Sequence, residues 1–191
     1  ELTSLNVTNN KLGSLNLSQN KQLTEVLCLN NQLTSLDVSN LAKLAELNCS
    51  KNQISRLDLS ENANLTSLDA SKNALTILDV TACGELTELS CSENQLTKLY
   101  ISGLSKIKVL DCSDNSLTEI NLTGCEAVTS LDCSNNALAS MNIVPIKALQ
   151  SLDCSNNALT MLDVSNNASL VALDCSENPA LLKLWVKDDA Q

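Results

Sequence analysis

Apolar and polar positions alternate along this chain in a pattern that repeats. Counting from Leu2, the same arrangement returns every 21 residues, at Leu23, Leu44, Leu65, Leu86, Ile107, Val128, Leu149 and Leu170. Each copy follows L-x-x-L-x-C-S-x-N-x-L-x-x-L-D-V-S-x-x-x-x, and the phase does not slip until the last copy, where one residue is inserted after Asn178. A fixed period of this kind points to a solenoid, in which each coil stacks on the one before. Within a copy, the fourth and sixth positions put their side chains on the same side, which is strand alternation, and the second half repeats it, as in Leu36 with Val38 and Leu162 with Val164. Ten or eleven residues per half leave little room for a helix of about 10–12 residues and its turns. The pattern predicts a parallel strand on one face of every coil and extended or short-strand structure on the other, with few or no α-helices. Similar spacing on both faces predicts weak curvature, and nine coils at about 4.8 Å make a rod of roughly 40 Å.

Two columns of the repeat define its interior. The ninth position is Asn in all nine copies: Asn10, Asn31, Asn52, Asn73, Asn94, Asn115, Asn136, Asn157 and Asn178. It follows the strand, where the chain turns and leaves backbone polar groups facing inward. One carboxamide serves both donors and acceptors, so a ladder of side-chain-to-backbone bonds is expected. The sixth position holds Cys28, Cys49, Cys91, Cys112, Cys133, Cys154 and Cys175, but also Val7 and Ala70. A column that accepts Val, Ala and Cys calls for a small apolar side chain, and a buried free thiol behaves as one. In-register parallel strands hold neighbouring Cβ atoms about 4.8 Å apart, whereas a relaxed disulfide wants roughly 3.8 Å. The total of nine cysteines is odd, and there is no CxxC and no His to wrap a zinc ion. Cys83 and Cys125 share the nineteenth position, two coils apart with Leu104 between them.

With these columns in view, the units resemble bacterial leucine-rich repeats of the 21-residue subclass, like those of internalin J-like surface proteins, where a cysteine also replaces one repeat leucine. The resemblance runs from Leu2 to about Val186. It implies a right-handed leucine-rich repeat solenoid, a sheet used for binding, and display at the surface of a bacterial cell or in secreted form. It implies no particular ligand, because such repeats carry many specificities on one frame. The reading is a single domain spanning residues 1–191, with an atypical last half-repeat at 179–191.

Outward positions are where binding would occur, and on the strand face these are expected to be the third, fifth, seventh and eighth of each copy. The fifth ends in four consecutive aspartates, Asp111, Asp132, Asp153 and Asp174, with Glu25, Glu46 and Glu88 near the other end. Carboxylates about 5 Å apart in water repel by only about 1 kcal/mol, so this stripe is tolerated without a counter-ion. No loop supplies the six or more oxygens that calcium prefers. Leu27 and Leu29, flanking Cys28, break the polar habit of their columns and form a second candidate contact. Interface hot spots favour Trp, Tyr and Arg, but Tyr100 falls on the opposite side and Arg56 in the second half-repeat.

Composition narrows the function. The chain has no His and no Phe, one Trp, one Tyr and four Gly. No Ser, Cys or carboxylate has a histidine to work with, and no glycine-rich phosphate loop exists, so an enzyme is not expected and no cofactor is called for. The net charge of −10 disfavours nucleic acid and anionic membrane surfaces as partners, and no apolar run approaches the length of a transmembrane segment. The first coil would leave Leu2, Leu5, Val7, Leu12, Leu15 and Leu17 uncovered, so more chain is expected before Leu2, or another molecule against that face. Near the other end Leu181, Leu184 and Val186 are expected to point inward and Trp185 outward. Three functions compete: a recognition or adhesion module for a protein or glycan, a passive spacer presenting another domain, and a regulatory part of an enzyme or host-directed effector whose catalytic domain lies elsewhere.

Overall fold

The computed structural model describes residues 1–186; the end of the atypical half-repeat, 187–191, lies outside them. Thirteen strands of three residues each follow one another with no helix among the described residues: β1 (Ser4–Asn6), β2 (Glu25–Leu27), β3 (Glu46–Asn48), β4 (Ser67–Asp69), β5 (Ile77–Asp79), β6 (Glu88–Ser90), β7 (Lys98–Tyr100), β8 (Val109–Asp111), β9 (Ser130–Asp132), β10 (Ser151–Asp153), β11 (Met161–Asp163), β12 (Ala172–Asp174) and β13 (Lys183–Trp185). Nine of them form one parallel sheet in the order β1-β2-β3-β4-β6-β8-β9-β10-β12, one strand per coil. Register is the sequence period itself: Leu110 pairs with Leu131, and Leu131 with Leu152. Parallel two-stranded ribbons, β5–β7 and β11–β13, lie on the opposite face. In the second ribbon Leu162 pairs with Leu184, a separation of 22, so the insertion after Asn178 is absorbed before β13.

The core is a stack of equivalent layers. In the sixth coil Ile107, Leu110, Cys112, Leu117, Leu122 and Cys125 are each 2% exposed or less. Fully burying a leucine side chain contributes about 1.5–3 kcal/mol, and each such residue packs on its counterparts above and below. Corners are built from tight turns. Asn62 N–H donates to Leu59 C=O and Leu65 N–H to Asn62 C=O, both at 3.0 Å, so the nineteenth residue sits between two turns with its side chain inside. After the front strand, the eighth residue of every coil is left-handed, from Asn9 (φ 58) to Glu177 (φ 53). Bonds to the next coil hold it there, as when Lys51 N–H donates to Ser71 C=O at 3.0 Å.

The end coils depart from the expected pattern in degree. Leu17 is buried, and Leu5, Val7, Leu12 and Leu15 are half-buried, because the second coil covers one side of each; Leu2 is exposed. Leu181 is half-buried against the core, whereas Leu184, Trp185 and Val186 are all exposed.

Candidate binding surface

The front sheet presents the third and fifth positions to solvent, and the structure corrects the seventh. Ser50, Ser71, Ser92, Ser113 and Ser134 are buried, not outward. Each of these serines follows a fifth-position residue by two. Where that residue is Asp, it accepts twice: Ser134 N–H reaches Asp132 Oδ1 at 3.0 Å and Ser134 Oγ–H reaches the same oxygen at 2.6 Å. Asp111 with Ser113, Asp153 with Ser155 and Asp174 with Ser176 repeat the arrangement. The turn after the strand needs an acceptor at its start and a donor two residues on, and D-x-S supplies both.

The four aspartates are therefore brought together, Asp111 beside Asp132, Asp132 beside Asp153, and Asp153 beside Asp174, but with one oxygen each committed to its own turn. The remaining oxygens form the acidic stripe. The first three residues are half-buried and Asp174 is exposed; Ser176's side-chain and backbone donors hold the Asp174 carboxyl below its ordinary value of 3.8. Glu25 and Glu46 are register neighbours, and Ser4 Oγ–H donates to Glu25. Glu88 is separated from them by Ser67 and has Val109 on its far side. Beside the sheet, Lys72 and Glu93 pair at 2.6 Å. Partial burial, followed by the charges of Glu93, Asp132 and Asp111, pushes the Asp114 carboxyl up from 3.8. Among the described residues no group of three or more His, Cys, Asp or Glu side chains is placed to hold a metal ion.

Leu27 and Leu29 are both half-buried. Leu27 stands on the sheet between Asn6 and Asn48, but Leu29 occupies the column filled in the next five coils by buried serine. Together they replace the polar turn pair with an apolar one, so only Leu27 belongs to the sheet surface.

Behind the sheet seven cysteines stack as free thiols, six buried and Cys175 half-buried, while Cys83 and Cys125 are buried free thiols at the corners. Ala70 divides the column, leaving five in succession from Cys91 to Cys175. Burial pushes Cys28 to about 11 and Cys154 to about 12, and drives Cys49, Cys112 and Cys133 well above the ordinary 9.0. A thiol that stays protonated is neither a nucleophile nor a metal ligand.

Comparison with known proteins gives the stack its context. The chain is similar to the functional domain of InlJ from Listeria monocytogenes, a structure described as including a cysteine ladder, at 28% identity and a TM-score of 0.53, over 97% of this chain and 58% of that one. A leucine-rich repeat protein of Leptospira interrogans matches in fold at 22% identity and a TM-score of 0.78, over 97% and 60%. The leucine-rich repeat ectodomain of the Arabidopsis thaliana receptor kinase GASSHO1/SCHENGEN3, solved in complex with CASPARIAN STRIP INTEGRITY FACTOR 2, matches at 25% and 0.79, over 92% and 24%. The chain is a leucine-rich repeat solenoid. Its 21-residue period fits bacterial leucine-rich repeats such as those of InlJ, and it spans less than two thirds of the length of each of these proteins. The LVIVD repeat family matches residues 154–174, the length of one unit. No curated protein matches the chain.

Leucine-rich repeats of this kind form a protein-interaction fold, and one of the matched ectodomains was solved in complex with a partner. The repeat pattern points to the front sheet as the candidate surface and marks no site on the back. There Arg56, Ile77 and Tyr100 are exposed, and a groove of about 490 Å³ separates the third coil from the fourth. The signal available was that Ile77 and Tyr100 interrupt columns otherwise mostly polar.

Proposed function

We propose that this solenoid is a non-enzymatic recognition module of a bacterial surface or secreted protein, binding a protein or glycan through its parallel-sheet face. The observation that carries the reading is the contrast between columns. Inward positions repeat almost unchanged from coil to coil, whereas the outward third position runs Ser4, Glu25, Glu46, Ser67, Glu88, Val109, Ser130, Ser151, Ala172. A stack of identical layers needs no such variation; a surface matched to a ligand does. The likeness to InlJ and to a receptor ectodomain solved with its partner supports it. A partner carrying positive charge suits the acidic stripe, and the net charge of −10 argues against nucleic acid. No described helix is long and apolar enough to cross a membrane.

A second reading, a passive spacer, is favoured by coils seven to nine, whose outward pairs Ser130/Asp132, Ser151/Asp153 and Ala172/Asp174 are nearly the same. Protein and glycan arrays separate the two. Asp132→Asn with Asp153→Asn removes two charges yet keeps the Oδ1 acceptor each turn needs, as Asn48 does for Ser50. Binding lost in this double variant at unchanged melting temperature places the ligand on the stripe. Arrays that capture nothing through the sheet leave the spacer.

A further inference from the structure

We infer that the thiol column binds a soft monovalent cation, copper(I), with one ion in line between each two cysteines of successive coils. Five cysteines follow one another from Cys91 through Cys112, Cys133 and Cys154 to Cys175, and Cys28 with Cys49 forms a separate pair. Their backbones continue the front ladder. Cys112 N–H donates to Asp132 C=O, Cys133 N–H to Asp153 C=O and Cys154 N–H to Asp174 C=O, at 2.9, 2.9 and 2.8 Å. The sulfurs keep the same phase, with Cys133 Sγ–H directed to Asp153 C=O and Cys154 Sγ–H to Asp174 C=O, both at 3.5 Å. One coil therefore maps each sulfur onto the next, at the parallel-strand spacing of about 4.8 Å. That separation is far beyond the roughly 2.05 Å of a disulfide bond. Two metal–thiolate bonds of about 2.3 Å laid end to end span about 4.6 Å. An ion midway between neighbouring sulfurs meets both with the coils almost where they stand.

Charge and coordination number select the ion. Cys49, Cys112 and Cys133 are buried in the apolar core, where an uncompensated charge is costly. Burial also keeps their protons on at neutral pH, so only an ion that binds sulfur strongly enough to displace a proton enters the column. A monovalent ion replaces one proton. It bonds to one sulfur as thiolate, accepts a lone pair from the neighbouring thiol, and releases H⁺ to water, so the charge of the core is unchanged. Zinc wants four ligands, and each gap offers two sulfurs. Soft thiolate ligands favour copper(I). Ala70 interrupts the column, and Cys83 and Cys125 stand at the corners with Leu104 between them, so neither extends a run. The sites are then one between Cys28 and Cys49 and one in each of the four gaps from Cys91 to Cys175.

The test refolds the protein without oxygen in excess copper(I), which gives the ion access to thiols that the native coils cover. Loosely held ion is then stripped with a copper(I) chelator, and bound copper is counted per chain. About five ions are expected, each with two sulfur neighbours by X-ray absorption. Cys133→Ala breaks two gaps and should lower the count to about three, whereas Cys91→Ala breaks one and should lower it to about four. Cys83→Ala with Cys125→Ala should leave it unchanged. Alanine is already accommodated in the column at Ala70, and circular dichroism checks that each metal-free variant keeps the fold. Equal losses from Cys133→Ala and Cys91→Ala, copper lost with the corner pair, three sulfurs around each ion, or less than one ion per chain each overturns the proposal.

Discussion

Asparagine at the ninth position carries the joint between coils. Asn115 Nδ2–H donates to Cys112 C=O and Ser113 C=O in its own coil and to Cys91 C=O in the coil before, at 3.1, 2.9 and 3.1 Å. Its Oδ1 accepts from Leu96 N–H at 2.9 Å, again in the preceding coil. Leucine would orphan buried groups of both kinds, each at about 1–3 kcal/mol, so Asn115→Leu is expected to lose about 3 kcal/mol or more in denaturant unfolding. Asn20 has no side-chain hydrogen bond among those described, and its column already holds Leu41 and Leu104; Asn20→Leu should change stability by well under half as much. Equal losses would show that the ladder is not what distinguishes the column. The D-x-S pair is a second residue-scale unit, and its fifth-position member is the more variable one, Asn48 serving Ser50 as Asp does. Where the fifth position is Leu27 the seventh is Leu29, and where it is Ser90 the seventh is Ser92, 3.4 Å away.

At the scale of the coil, the corner between fifth and sixth coils differs from its neighbours. Gly103 and Gly124 both have positive φ, +86 and +83, and a Cβ on Gly124 would lie 2.6 Å from Gly103 Cα. Two backbones approach there as no side chain allows, closed by Gly103 N–H to Thr123 C=O at 2.9 Å. Gly124→Ala combines that contact with a left-handed conformation that alone costs roughly 1–2 kcal/mol for an L-residue. A loss of more than about 2 kcal/mol is expected, against little change for Gly84→Ala, where nothing lies within 4 Å. Thermal unfolding of the two variants side by side checks this, and similar melting temperatures would refute it.

For the whole molecule, the buried thiols make stability depend on alkaline pH. Folded Cys28, Cys83 and Cys154 titrate at about 11, 11 and 12, above the 9.0 they regain on unfolding. Above pH 9 the unfolded chain therefore holds fewer protons than the folded one, and stability falls as pH rises. Their contribution is fully present below pH 9 and is lost between there and about pH 11–12. The melting temperature is expected to decline across that window, and more gently in a variant with Cys112→Ala, Cys133→Ala and Cys154→Ala. Parallel declines would mean that these thiols do not set the slope. Denaturation without reductant should release nine titratable thiols, and a deficit of four or more would show that part of the stack is oxidised.

Much of this architecture is legible in the letters. A constant 21-residue spacing determines which residues stack, so the sheet register, the asparagine ladder and the buried thiol column all follow from counting, because translation along a solenoid maps each position onto itself. The stripe's four aspartates were also found this way, as neighbours on one face. Counting does not reveal depth within the turn. Ser134 reads as an outward partner of Asp132, and only the closed turn shows it buried with its hydroxyl spent on that carboxylate. Nor does it reveal which backs meet. Thr76 in the fourth coil and Ser55 in the third occupy the same column, yet Thr76 bonds forward to Thr97 while a groove parts it from Ser55. Backbone pairing at the rear depends on the spacing that a whole stack of cores imposes on its outer edge, a collective distance that no single repeat encodes.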